Sequence, residues 1–295
     1  VIDADVRSAF PASFLLLGGP DVLSAASIRV QHDPTLLLAV AEQAAAGDFE
    51  PLFDRSTYAR IGLGLCEVMP GGEPWPIELS DSGAPRFGVW PTRSRVPLPF
   101  AWGDFVNAAV LSHRLPGRMS FTGLAPRGSG PVASAQWIAA EVQRRGAARD
   151  RLRNGIGSTD DFRTKVQLHP VVNSGAWGIF ARADQHRRSG GRGRHSVLVE
   201  EVAEWTWPPL AVSVPALPRL WMGMVQRWVA DQGGICISWD TDGVTILSST
   251  EGGTHKLRDG RVVRVLPHAE IESFLARFDA LDPFGDGRPF WDVER

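Results

Sequence analysis

The chain opens on a short apolar-rich strand, Val1 to Ala4, that leads into Asp5. Apolar stretches at Ser13 to Leu17 and Ser24 to Val30 follow, separated by the Gly18-Gly19-Pro20 turn. Leu, Ala, Glu and Gln crowd Pro34 to Ala46, which predicts a helix ending at Gly47. Between Phe49 and Val96 the Pro and Gly punctuation is dense and the period ambiguous, so short strands and loops are expected. Helical spacing returns from Ala101 to Leu115 and stops at Pro116-Gly117. The clearest surface helix is Ser134 to Arg153. Ala135, Ile138, Ala139 and Val142 form its apolar stripe, and Arg144, Arg145, Arg149, Arg151 and Arg153 cover much of the rest.

Phe162 to Gly178 predicts a second helix with Pro170 as an internal defect, and Gln185 to His195 predicts a mobile Gly- and Arg-rich loop. After Pro208-Pro209 a helix is expected from roughly Pro218 to Asp231, closed by Gly233-Gly234. Ile235 to Trp239 and Val244 to Ser248 read as two strands around a tight Asp-Thr-Asp-Gly turn. Basic, strand-like residues run from Lys256 to Leu266, and a last helix, about Ala269 to Leu281, precedes a Pro/Gly tail. This order predicts a mixed α/β (α+β) domain with a helical insertion.

Composition narrows the class. At 295 residues, 43% hydrophobic and 22% charged, the chain suits one large globular domain or two modest ones. No run is apolar enough to span a bilayer, and Val1-Ile2-Asp3 is no basic leader, so a cytoplasmic address is expected. Cys66 and Cys236 make no disulfide framework. The missing initiator Met and the ending at Arg295 read as a fragment. The net charge of −2 argues against a protein that coats nucleic acid indiscriminately. From Glu141 to His195, however, twelve Arg or Lys face five Asp or Glu, a local +7 against −9 for the remainder. That asymmetry fits an anion-facing element on an acidic body, and equally a solvated helix with a basic loop.

Three segments carry candidate chemistry. Asp240-Thr241-Asp242-Gly243, between two strands, is a rigid mount for hard cations, although Asp and Gly are also good turn formers. Asp5-Val6-Arg7-Ser8-Ala9-Phe10-Pro11 sets an acid at a strand end before a turn, where it can lie beside a phosphate-holding backbone; a plain helix N-cap at Ser8 is the alternative. His169-Pro170-Val171-Val172-Asn173-Ser174-Gly175-Ala176-Trp177-Gly178 joins small residues to a flat stacking surface, or simply closes a helix at Gly178.

Taken in order, the three segments resemble motifs A, B and C of family B DNA polymerases. Asp5-Val6-Arg7-Ser8-Ala9-Phe10-Pro11 is similar to motif A, Asp240-Thr241-Asp242-Gly243 to motif C, and His169 through Gly178 to motif B. The flanks Pro208-Pro209-Leu210-Ala211, Ser248 to Gly253 and Arg277 to Phe284 resemble a divergent bacterial branch. The resemblance implies a palm with an antiparallel sheet and packed helices, plus a helical fingers insertion. Its expected parts are palm at 1–40 and 183–284, an unclear insertion at 41–130, fingers at 131–182, and the start of a further region at 285–295.

What the resemblance implies chemically is template-dependent transfer of deoxynucleotides to a primer 3′-hydroxyl. Asp5, Asp242 and the Val6 carbonyl are expected to hold two Mg²⁺ ions, which Mn²⁺ can replace, with Asp240 nearby as a catalytic acid. Arg7, Ser8, Ala9, Phe10, Arg145, Arg149, Lys165, His169, Asn173, Trp177 and Gly178 are expected at the nucleotide, with Phe10 under the sugar excluding a 2′-hydroxyl. Thr241 and Lys256 are expected on the primer strand. The implied partners are a DNA primer-template, deoxynucleoside triphosphates, and exonuclease and thumb regions of the same polypeptide, with no membrane.

Departures from the family pattern concentrate around the nucleotide. His169 stands where the family has Lys, Phe10 and Trp177 where it has Tyr, and Gly243 where it has Ser, while Pro170 is unfavourable inside a helix. Lys165, one turn earlier, is placed to compensate. Two alternatives follow: a catalytically weak or inactive palm that binds nucleic acid, and a carbohydrate-active protein using some of the eleven Trp residues beside paired acids. The second requires Trp side chains along one groove, and fails if Trp205, Trp221 and Trp228 are buried.

Overall fold

The computed structural model describes residues 1–79, 86–128, 133–189, 196–204 and 206–295. Strand β1 (Ile2–Val6) buries Ile2, Ala4 and Val6 and turns Asp3 and Asp5 to the opposite face. That alternation is what one half-covered sheet face demands. β1 lies inside a four-stranded sheet in the order β10 (Cys236–Trp239), β11 (Gly243–Ile246), β1, β15 (Trp291–Glu294). Both neighbours of β1 are antiparallel, with Asp5 opposite Gly243 on one side and Asp292 on the other.

Among the helices, α8 (Pro208–Asp231) packs on β10 and β11 of this sheet and is tightly fitted to its helical neighbours. α5 (Trp102–Ser112) crosses α8 at two glycines. A Cβ on Gly103 would stand 3.1 Å from the Ala216 carbonyl, and one on Gly223 would strike the Asn107 side chain. α8 buries Leu210, Val214, Leu217, Leu220 and Trp221 completely, and the Trp221 indole N–H donates to the Tyr58 hydroxyl at 3.1 Å. Arg219 grips the buried Asp104 with two nitrogens, at 2.7 and 3.0 Å. α1 (Ala9–Leu16) also packs on α8, followed by α2 (Gly19–Ser24) and α3 (Thr35–Ala45). α4 (Arg55–Ile61) is capped by Asp54, whose carboxylate accepts from the Ser56 N–H at 2.8 Å.

A second four-stranded sheet has the order β2 (Ser27–Gln31), β7 (Met119–Arg127), β3 (Leu63–Val68), β6 (Leu98–Ala101). β4 (Gly71–Leu79) and β5 (Arg86–Arg93) form a hairpin, as do β8 (Ala183–Ser189) and β9 (Ser196–Val202). β12 (Ser248–Ser249), β14 (Val262–Pro267) and β13 (Gly253–Lys256) make a small sheet before α9 (His268–Leu275), which continues as a 3-10 turn to Leu281. The chain is thus α+β, built on antiparallel sheets with packed helices.

α6 (Ala133–Arg153) and α7 (Thr159–Asn173) form a helical pair within 131–182. Ser158 and Asp161 close a reciprocal capping box at the start of α7, and Arg151 reaches Asp161 across the turn. Pro170 does not break α7. The helix passes through it and widens into a π turn, Ser174–Gly178, with the Ser174 N–H donating to the Pro170 carbonyl.

Several expectations change. α8 begins at Pro208 rather than Pro218, because prolines open its first turn and the continuous apolar face carries it past Pro215 and Pro218. α3 crosses the boundary expected at residue 40. α1 and α4 are helices where only apolar stretches or loops were expected. Residues 185–189 of the expected loop pair with β9, and 190–195 lie outside the described residues. Residues 285–295, expected to open a further region, contain β15, a strand of the first sheet.

Candidate functional site

Asp5 and Asp242 come from opposite ends of the chain and line one cleft of about 280 Å³. Two backbone bonds bring them there. The Val6 N–H donates to the Asp242 carbonyl at 2.8 Å, and the Asp240 N–H closes the hairpin on the Gly243 carbonyl at 2.9 Å. A Cβ on Gly243 would stand 3.2 Å from the Asp5 carboxylate, which would have to give by a few tenths of an ångström. Burial, then the Asp242 and Asp292 carboxylates, push Asp5 up to about 6, with Arg149 opposing them. Asp242 is also raised, by burial and Asp240. Among the described residues neither carboxylate has an ion-pair partner. The pair is therefore short of positive charge.

The next wall is the turn after β1. Ser8 sits in left-handed backbone, φ 52°, unusual for a residue with a Cβ, and its side chain caps nothing. The N-cap role open to Ser8 is thus not taken up. The start of α1 faces the cleft through Ser8, Ala9 and Phe10, and the open N–H groups of a helix start suit an anion. Arg7 also lines the cleft, but its guanidinium is held by Asp282 at 2.7 Å and Asp286 at 2.8 Å. It anchors the turn to the C-terminal segment.

Across the cleft, α6 supplies Arg145 and Arg149, and α7 supplies His169 and Asn173. Arg145 is half-buried, its pKa lowered by burial and by Arg149, and it forms no ion pair among the described residues. His169 is lowered by burial and by Arg145, which favours the neutral imidazole. Cationic duty on this wall therefore falls to Arg145. Phe10 lies against Trp177, with ring centroids 4.9 Å apart, and the Trp177 indole N–H donates to the Ala211 carbonyl at 2.8 Å.

Some expected residues lie outside this cleft. Trp177 and Gly178 are on the π turn, and of the two only Trp177 reaches the cleft wall, through Phe10. Lys165 lines an adjoining basic recess with Asp5, Arg145, Arg149 and Arg153. Asp240 lines a neighbouring cleft with Asp3, Asp5 and Trp239. Thr241 faces a groove walled by Pro74, Pro76 and Met222, and Lys256 is exposed on β13, in another sheet.

Two site residues were not anticipated, Asp292 and Arg288. Asp292 stands opposite Asp5 on β15 and is ion-paired with Arg149. Arg288 passes over Gly146 so closely that a Cβ there would overlap its guanidinium, and it pairs with Asp150 at 2.9 Å. The alternating Phe290-Trp291-Asp292-Val293-Glu294 was the available signal for the strand. Trp221 is fully buried, whereas Trp228 is half-buried and stacks on Phe274; Trp205 lies outside the described residues.

Among the described residues, no helix is long and apolar enough to cross a membrane, and no three His, Cys, Asp or Glu side chains converge as a metal cage. The chain matches no protein-family model and no curated protein.

Proposed function

We propose that the chain is the palm, with part of the fingers, of a template-dependent DNA polymerase resembling family B. The observation that carries the reading is the meeting of Asp5 and Asp242 in one cleft with the start of α1 and Arg145. Two crowded carboxylates without ion-pair partners suit divalent cations. Mg²⁺ is commonly held by one or two carboxylates, with substrate phosphates and water completing its shell, so a full protein cage is not required. Asp5, Asp242 and the Val6 carbonyl would hold the ions. Once bound, Mg²⁺ or Mn²⁺ supplies Lewis-acid activation of the primer hydroxyl and charge neutralisation on the departing pyrophosphate.

The chain's own residues do the rest. The backbone at Ala9 and Phe10 and the Arg145 guanidinium bind the triphosphate. Phe10, braced by Trp177, sits under the sugar and disfavours a 2′-hydroxyl. Neutral His169 and Asn173 orient the nucleotide without adding charge. Primer-template and deoxynucleoside triphosphates are the partners in this reading, with exonuclease and thumb functions contributed by other parts of the polypeptide.

The test is primer extension with Mg²⁺ and deoxynucleotides, comparing the chain with Asp242→Asn. Extension that falls by at least about a thousandfold in the variant supports the reading. Tight primer-template binding without extension, in the chain or in a longer form containing it, favours a weak or inactive palm. Absence of both sinks the polymerase reading.

A further inference from the structure

The outward face of β1 and β15 concentrates negative charge. Asp3 stands opposite Glu294 and Asp5 opposite Asp292. Like charges directly across a strand pair repel one another, so this face needs cations. α6 provides them from one side: Arg149 pairs with Asp292, and Arg153 with Glu294 at 2.8 Å. Arg145, one turn before Arg149, lines the same cleft and has no ion pair among the described residues. The basic side of α6 is therefore divided, with one arginine open to the cleft and the next two engaged by β15.

We propose that Asp292 is a positioning residue: it holds the Arg149 guanidinium on β15 while the cleft is empty, and yields it to a polyphosphate chain first engaged by Arg145. The proposal rests on the reading of this cleft as a polyphosphate site. The side chains of Arg149 and Asp292 are 28% and 25% exposed, so the pair is screened by water only in part and competes with an incoming anion. An arginine parked this way keeps the acidic face neutralised without blocking the start of α1. When it moves, Asp292 is left beside Asp5, which adds negative charge where cations accompany the polyphosphate.

The experiment uses the whole 295-residue chain and inorganic tripolyphosphate in metal-free buffer, with affinity read by calorimetry. Asp292→Asn frees Arg149 and is expected to bind about fivefold tighter than the parent. Asp292→Glu, which restores the partner, is expected to return affinity toward that of the parent. Asp3→Asn removes one charge from the same face without releasing an arginine, and is expected to bind as the parent does. Equal tightening in Asp3→Asn and Asp292→Asn, or none in Asp292→Asn, overturns the latch while leaving the polyphosphate reading intact. Failure of every protein, the parent included, to bind tripolyphosphate overturns that reading and the latch with it. A melting curve matching the parent's confirms that each variant is folded.

Discussion

α8 packs on β10 and β11 of the acidic sheet, meets α5 at Gly103 and Gly223 and buries Trp221 completely; across the cleft, α6 reaches β15 through Arg149 and Arg153 and the Phe284 carbonyl through Gln143. Ile138 and Val142 of α6 are buried, but its links to β15 and the 282–294 segment are ionic or hydrogen-bonded. Apolar burial is not screened by salt, and the ion pair between α8 and α5, Arg219 with Asp104, has its carboxylate buried. Ion pairs open to water are sensitive to ionic strength and to the arrival of an anion. The acids thus rest on a layer suited to staying still, and the arginines on one suited to responding.

The most damaging way to break the contrast is within the packed layer. Trp221→Ala leaves a hole between α8, Tyr58 and Phe290 and is expected to cost about 3–5 kcal/mol in urea unfolding, weakening the whole chain. A change confined to one helix would remove α8 from the role of foundation.

Next in size is the pH response of the acids. The folded chain holds the Asp5 proton more tightly than the unfolded chain, since its pKa is raised to about 6 from 3.8. The stabilisation from this group is full below 3.8 and is lost as pH rises through about 6. The metal-free protein should therefore lose melting temperature between about pH 4 and about pH 6 relative to Asp5→Asn, where this contribution is absent. Mg²⁺ should stabilise the parent near the upper pH and have little effect near the lower one. Identical slopes for parent and variant would exclude Asp5 as the source.

Smaller effects sharpen the other side. Ser158→Ala opens the capping box and should cost about 1 kcal/mol, read as faster amide exchange in the first turn of α7 with α8 unchanged. Raising salt to about 1 M, where the screening length is about 3 Å, should speed exchange in α6 ahead of α8. Equal acceleration in both helices would show that the two layers are not held differently.

How far the sequence foretold this arrangement depended on range. Asp240 to Gly243 declared a hairpin because turn chemistry is local, and Ile138 and Val142 declared the inward face of α6 because a helical stripe needs only a few turns. β15 escaped because four residues after a Pro/Gly tail carry little periodicity, and its meaning lies in pairing with β1 at the far end of the chain. α4 escaped for a similar reason, being only seven residues long. The bond between Arg7 and Asp282 was invisible to motif reading, which placed Arg7 at a nucleotide by position alone. The left-handed turn at Ser8 had no residue signature, because Gly or Asn is the usual sign of such a turn.

The placement of β1 also governs when the acidic sheet can assemble. Within this chain β1 is made well before both of its neighbours, which come from beyond residue 242. At synthesis rates of about 5–20 residues per second, the strand waits roughly 10–50 s for a partner. Throughout that interval it is an unpaired edge with three apolar residues on one side. Asp3 and Asp5 interrupt every apolar pair along it, and such charges discourage mispairing with other nascent chains. The carboxylates are thus gatekeepers of their own strand before any of the cleft exists.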